Sequence, residues 1–251
     1  MKRLEGKQIV VTGAAGGIGS LVSMRLAALG AHVTGVDRVE CNKCPETILA
    51  DLASEEGQTK LAETLKARQV DILVNIAGLQ YFGPFEQQQI DNLWLGYAVN
   101  LIAPAALARA VLPQMLARGD GQIVNIGSML GAVKYPFFAS YSSAKAGLQG
   151  LSEGLRREVS GQGVAVTYIA PRAARTAFNS PAVMRFMELT KMKADEPEFV
   201  ADRIVEAILA RKTEVFIGFQ ERIFMRINAL LPRLVDAGIS PQTAKVRHLF
   251  Q

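Results

Sequence analysis

The chain has 251 residues, of which 49% are hydrophobic and 20% charged, and its net charge is +5. This composition is enough for one substantial apolar core and excludes a disordered chain; the modest basic excess forms no aromatic-interleaved stripe suited to nucleic acid. No uncharged apolar run reaches the roughly 18 residues of a spanning helix, and no signal peptide, repeat or Pro/Gly/Ser linker stands out, so one cytoplasmic domain over residues 1–251 is expected.

The first predicted strand, QIVVTG, runs into TGAAGGIG at Thr12–Gly19. Gly13, Gly17 and Gly19 fall where a strand turns into a helix. Glycines there let backbone approach a pyrophosphate, and the helix that follows offers free N–H groups and its positive end. That helix, GSLVSMRLAALG, stops at Gly30. The second strand, AHVTGVD, ends in Asp37, 18 residues beyond Gly19. An acid at that distance can accept from ribose hydroxyls and would repel a 2′-phosphate, which favours NAD over NADP. Arg38 opposes this, because a guanidinium pairs with phosphate. Cys41 and Cys44 follow as CNKC. They supply half of a zinc site at most, and His32 and His248 lie at widely separated positions, so two reduced thiols in a surface loop and no metal are expected.

The third strand, TILAD, delivers Asp51 and Leu52 to the adenine side, and an amphipathic helix, SEEGQTKLAETLKARQ, comes next. The fourth, VDILVNIAG, ends in Asn75–Gly78, where Gly78 gives backbone room and Asn75 can brace neighbouring strands. The fifth, GQIVNIGS, ends in Ser128. Thirteen residues on is Tyr141, then Lys145, a spacing that stacks both side chains on one helix face. The sixth, VAVTYIAP, opens into APRAART with Pro171 and Thr176, and the seventh is TEVFIG. Strand and helix alternating in this way predict an α/β fold. Its sheet should have seven strands, mostly parallel, with helices on both faces and ligands beyond the carboxyl ends of the strands.

Taken together and in this order, TGxxxGIG, Asp37, NxAG at Asn75–Gly78, Asn100, Ser128 and the YxxxK pair resemble the short-chain dehydrogenase/reductase family across roughly residues 5–220. The resemblance implies a Rossmann fold and hydride transfer between a nicotinamide and a carbinol or carbonyl carbon. It makes Asn100, Ser128, Tyr141 and Lys145 the catalytic set. Tyr141 would be the acid/base, its ordinary pKa of about 10 lowered by Lys145 and the oxidised nicotinamide. Ser128 would hold the substrate oxygen, Lys145 would grip ribose, and Asn100 would hold a water linking Lys145 to solvent. It also implies that Gly13, Ala15, Gly17, Ile18, Gly19, Asp37, Arg38, Asp51, Leu52, Asn75, Ala77, Gly78, Tyr141, Lys145, Pro171 and Thr176 bind the cofactor. The family commonly has Pro-Gly where this chain has Pro171-Arg172, which brings bulk and charge toward the nicotinamide edge. A homodimer or homotetramer, built on the helices of Trp94 and Tyr141, is implied as well.

Two segments should govern substrate choice. Met129, Leu130, Tyr135, Phe137 and Phe138 follow the serine, and Phe178, Met184, Phe186, Met187 and Leu189 follow Pro171. Methionines and aromatics suit a lipophilic alcohol or ketone in an adaptable pocket, and the second segment could act as a lid. The chief rivals are an NADPH-dependent 3-oxoacyl reductase and a non-catalytic dinucleotide sensor. An extension spans about 220–251. Wound as one helix over Gln220–Asp236, it places Ile223, Ile227, Leu230, Leu231 and Leu234 opposite Arg222, Arg226 and Arg233, with Pro232 kinking its end. Such a helix packs on its own domain or a sister subunit, or lies on an anionic membrane as a peripheral contact.

Overall fold

Seven short strands rich in Val and Ile pair side by side. They are β1 (Gln8–Thr12), β2 (His32–Asp37), β3 (Glu46–Leu49), β4 (Ile72–Asn75), β5 (Gly121–Ile126), β6 (Val164–Ala170) and β7 (Glu214–Phe216). In the computed structural model, which describes residues 4–250 and leaves aside the side chains of Phe219 and Gln242, they form one sheet in the order β3-β2-β1-β4-β5-β6-β7. Every pairing is parallel, so the expected mostly parallel sheet is wholly so. All four residues of β4 and all six of β5 are buried, which explains their unbroken apolar character.

Among the described residues, ten α-helices connect and cover the strands: α1 (Gly17–Ala28), α2 (Glu55–Lys66), α3 (Ile90–Tyr97), α4 (Ala103–Arg118), α5 (Met129–Ala132), α6 (Ala139–Glu158), α7 (Pro181–Thr190), α8 (Pro197–Leu209), α9 (Phe219–Leu230) and α10 (Pro232–Val246). Val22 and Leu26 of α1 share one core with Val200, Ile204 and Ile208 of α8. On the opposite face, Leu61 and Leu65 of α2 pack with Leu107, Val111 and Met115 of α4. Ser54 starts α2 by accepting the Gly57 N–H at 3.0 Å. α3 and α4 join through one π-helical segment, Ala98–Ile102, into a 29-residue rod, Ile90–Arg118. The rod is apolar enough to cross a bilayer, but Val99, Ala103 and Leu107 lie in the core beside the sheet.

The strand order reverses at β1 and β4, and the crevice beyond their carboxyl ends is where such sheets take ligands. A line of buried amides braces the next pair of strands. Asn75 Nδ2 donates to Asn125 Oδ1 at 2.8 Å, Asn125 Nδ2 donates to Ser152 Oγ at 2.9 Å, and that hydroxyl donates to the Leu148 carbonyl at 2.7 Å. β4, β5 and α6 are thereby locked in one register.

The tail differs from expectation. It is two helices, because Leu231 leaves the helical region (φ −134°, ψ 60°) and Pro232 starts α10 instead of kinking the end of a single helix. α10 packs on its own chain: Val235 and Ile239 are buried with Val133, and Val246 joins Phe138 and Phe186.

Removing the middle of the amide line should be costly. Asn125→Ala strands the Asn75 amide in the core, and we expect a loss of about 1–3 kcal/mol in urea unfolding. An unchanged midpoint would show that these bonds contribute nothing net.

Candidate active site

Glycine is required where β1 meets α1. Gly13 has φ +69°, and a Cβ there would sit 2.8 Å from the Ala77 backbone. At Gly19 a Cβ would meet the Gly13 carbonyl oxygen at 2.0 Å. The turn can therefore close only without side chains at positions 13 and 19, and it brings the start of α1 against the end of β4. Gly16 caps α1 with no side-chain acceptor, and the first turn carries no acid. Its amide hydrogens and positive end remain open to an anion, which is what a dinucleotide's pyrophosphate requires.

This turn borders one cavity of about 1010 Å³. Asp37, Arg38, Asp51 and Leu52 line one end, Gly13, Gly17, Ile18, Gly19, Ala77, Gly78 and Thr176 the middle, and Ser128, Tyr141, Lys145 and Pro171 the other end. The Thr176 methyl lies 3.0 Å from where a Cβ of Gly17 would be, so the chain after β6 closes directly over the glycine turn. These residues arrive from different strands and helices, and they meet because each follows the carboxyl end of its own strand.

Three of the expected catalytic and cofactor-binding residues do not line the cavity. Ala15 lies behind it, where its N–H donates to Asp37 Oδ2 at 3.0 Å. Asn75 spends its amide on Asn125. Asn100, in the π-helical segment, donates to the Leu79 carbonyl at 2.7 Å and the Gly96 carbonyl at 2.8 Å, and accepts from the Leu79 N–H at 3.2 Å. Both of its amide hydrogens are thus committed, so the side chain braces the Gly78–Leu79 backbone. A Cβ on Gly78 would lie 3.1 Å from Asn100 Oδ1 and 3.8 Å from Lys145 Nζ.

At the closed end, Ser128 caps α5 by accepting the Leu130 N–H at 3.1 Å, and its hydroxyl hydrogen-bonds the Tyr141 phenol. Lys145, 3% exposed, donates to the Ile126 carbonyl at 2.9 Å. Burial governs both titrating groups. It pushes Tyr141 up to about 12, against a smaller lowering by the Ser128 hydrogen bond, and it pulls Lys145 down to about 8. The expectation of an acidic phenol is therefore corrected for the protein alone: burial raises Tyr141 by more than the Ser128 hydrogen bond lowers it.

Several lining residues had no signal in the sequence. Lys43 joins Arg38 beside Asp37, and Phe224 and Glu221 reach in from α9. Arg172 does line the cavity, but its charge is met: it forms a bidentate pair with Asp195 (2.8 and 2.6 Å) and reaches Glu221 at 3.2 Å. Those two carboxylates hold its pKa above the ordinary arginine value. Cys41 and Cys44 are free thiols, but Cys41 is not in a surface loop: it is buried in the core beside α1, where its thiol donates to the Ala14 carbonyl at 3.2 Å. Met129, Leu130, Tyr135, Phe138, Phe178, Phe186 and Met187 line the cavity, whereas Phe137, Met184 and Leu189 do not. Phe137 instead stacks on Phe250 with ring centroids 4.7 Å apart.

The arrangement has counterparts. The family model for short chain dehydrogenase matches residues 7–184. The chain is 35% identical over 240 residues to 2,3-dihydroxy-2,3-dihydro-p-cumate dehydrogenase from Pseudomonas putida, covering 86% of this chain and 92% of that protein. A short-chain dehydrogenase from Sphingobium yanoikuyae, solved with NADPH, superposes with a TM-score of 0.78 at 26% identity, over 92% of this chain and 96% of that one. The bulky-bulky ketone specific alcohol dehydrogenase from Comamonas testosteroni gives a TM-score of 0.75 at 25% identity, over 91% and 94%.

The buried lysine yields a stability test. In the unfolded chain it keeps its proton to about 10.5, whereas the folded chain releases it near 8, so between these values the folded state binds fewer protons and stability rises with pH. Below 8 the folded protein carries the full cost of the buried ammonium. Lys145→Met without cofactor should therefore raise the melting temperature at neutral pH, by the equivalent of about 1–3 kcal/mol. The gain should shrink as the pH climbs from 8 to 10.5, and calorimetry across that range checks it.

Proposed function

The chain belongs to the short-chain dehydrogenase family and is an NAD(P)-dependent oxidoreductase acting on CH–OH groups, and on that premise we propose that its substrate is a lipophilic secondary alcohol or ketone and its cofactor NAD(H). The observation that carries this reading is the buried Ser128–Tyr141–Lys145 group, set at the closed end of the cavity that opens on the glycine turn. When bound, the nicotinamide supplies the acceptor or donor of hydride. The free N–H groups at the start of α1 hold the pyrophosphate, and Asp37 takes the ribose hydroxyls.

Tyr141 moves the proton at the substrate oxygen. With its pKa held near 12, the phenol stays protonated at neutral pH, which suits donation to a ketone in the reductive direction. Ser128 already bonds the phenol, so its hydroxyl orients a substrate oxygen within reach of both. Lys145 supplies positive charge beneath them, and Asn100 keeps the neighbouring Gly78–Leu79 backbone in place.

The preference for NAD(H) rests on Asp37. Its carboxylate accepts from the Ala15 N–H at 3.0 Å and the Arg38 N–H at 2.7 Å, so it cannot swing away from a 2′-phosphate. Arg38 and Lys43 on the same rim soften that bias without removing the anion. The apolar wall of Met129, Leu130, Phe138, Phe178, Phe186 and Met187 supports a lipophilic substrate. We also read the chain as one domain whose extension from about 220 completes the cavity wall. The exposed apolar residues Ile90, Trp94, Leu95 and Ile102 on the α3–α4 rod support a homodimer or homotetramer.

Tyr141→Phe should leave cofactor affinity within about twofold and cut turnover by roughly 10²–10⁴-fold. Retained turnover in the variant would refute the assigned role. Titration with both cofactors should give tighter NADH binding in the wild type, and Asp37→Ala should narrow or reverse the difference. Tighter NADPH binding by the wild type would overturn the cofactor reading. Across methyl ketones of increasing length, kcat/KM should rise roughly threefold per methylene until the cavity is filled; a flat series would count against a lipophilic substrate.

A further inference from the structure

α9 has two unlike faces. Glu221, Met225 and Asn228 recur at helical spacing and face inward. Glu221 pairs with Arg172, Met225 packs on Met129 and Tyr168, and Asn228 donates to the Ala132 carbonyl at 3.3 Å. On the outer side, Ile223 and Leu230 meet solvent, and the corner into α10 adds Leu231 and Leu234. Leu230 is 80% exposed, Leu234 61%, Leu231 58% and Ile223 45%. Such a contiguous group of bare aliphatic side chains marks a contact surface.

The corner is held from behind. Ile227 leans on Val235 and Ile239, which are buried against Val133, so the leucines project from a backed wedge. Arg226 and Arg233 stand exposed beside them, and neither enters an ion pair among the described residues. Of the nearby acids, Glu221 is committed to Arg172, which leaves Asp236. A protein partner would have to match both the leucines and the cations. An anionic lipid surface offers an acyl boundary for the first and phosphates for the second. At the other end of α9, Gln220 and Phe224 line the cavity, whereas none of the wedge residues does.

We propose that the α9–α10 corner docks this protein on an anionic phospholipid bilayer, with Leu230, Leu231 and Leu234 entering the acyl boundary and Arg226 and Arg233 meeting lipid phosphates. The inference goes beyond the reaction and does not depend on it.

The test is sedimentation of the full chain with vesicles of equal parts phosphatidylglycerol and phosphatidylcholine, beside vesicles of phosphatidylcholine alone. The wild type should pellet with the first and not the second, and high salt should release it. Arg226→Gln with Arg233→Gln should lower the partition coefficient about tenfold or more. Leu230→Ser, Leu231→Ser and Leu234→Ser together should lower it at least as far. All variants should keep wild-type turnover of a small water-soluble ketone. A wild type that ignores anionic vesicles, or variants that pellet equally well, would overturn the proposal. A leucine variant that instead splits an oligomer on sizing, with vesicles still ignored, would assign the face to a second copy. Sedimentation needs no substrate, so a failure of the reaction assignment would leave these outcomes readable.

Discussion

Lys145 has almost no water, and the rest of the site depends on that. Its Nζ has one carbonyl, that of Ile126 at the end of β5, as its hydrogen-bond partner among the described protein groups. Removing an ammonium from water is costly, and one neutral acceptor compensates only in part. The lysine therefore moves toward neutrality while the adjacent phenol is driven further from ionisation. With its pKa lowered to about 8, Lys145 still carries its proton at neutral pH, at a desolvation cost, while the Tyr141 phenol stays neutral.

That burial follows from the sheet. β5 and β6 are covered on both faces, and α6 lies close enough to place Tyr141 and Lys145 at the β5 edge. The amide line from Asn75 through Asn125 to Ser152 fixes how far α6 can slide relative to β4 and β5. A shift by one residue would carry Lys145 off the Ile126 carbonyl, so a structural hydrogen-bond chain some distance from the chemistry sets the position of the chemical groups.

What could be read from the chain follows from where each signal resides. Buried parallel strands must be almost continuously apolar, so QIVVT, ILVN and GQIVNI announce themselves, and the residue after each is placed at one rim. This made the glycine turn, Asp37, Ser128, Tyr141 and Lys145 legible. Distances along the chain do not reveal burial, so the direction in which Tyr141 shifts was not legible even though its neighbours were. Nor do they reveal partners supplied by distant segments. Lys43, Asp195, Glu221 and Phe224 join the cavity or its ion pairs from elements that no short motif links. Asn75 braces β4 against β5, the role its place at a strand end suggested, whereas the Asn100 amide is taken by backbone groups that only the fold identifies. In the tail, the apolar periodicity ran through Leu231 and Pro232 unbroken, although a proline starts a helix more readily than it continues one.

Arg172 connects the part that was legible with the part that was not. Replacing a glycine with arginine after Pro171 would put an uncompensated cation beside the nicotinamide end of the cavity. The structure instead spends that charge on two carboxylates, one from the segment after α7 and one from α9. Asp195 is further held by backbone pairing across to Ala173 and Arg175, so the stretch carrying α7 is clasped at its base. The same guanidinium ties α9 to that clasp. The segment between α7 and α8 and the start of α9 are therefore tied to the chain after β6 through one side chain.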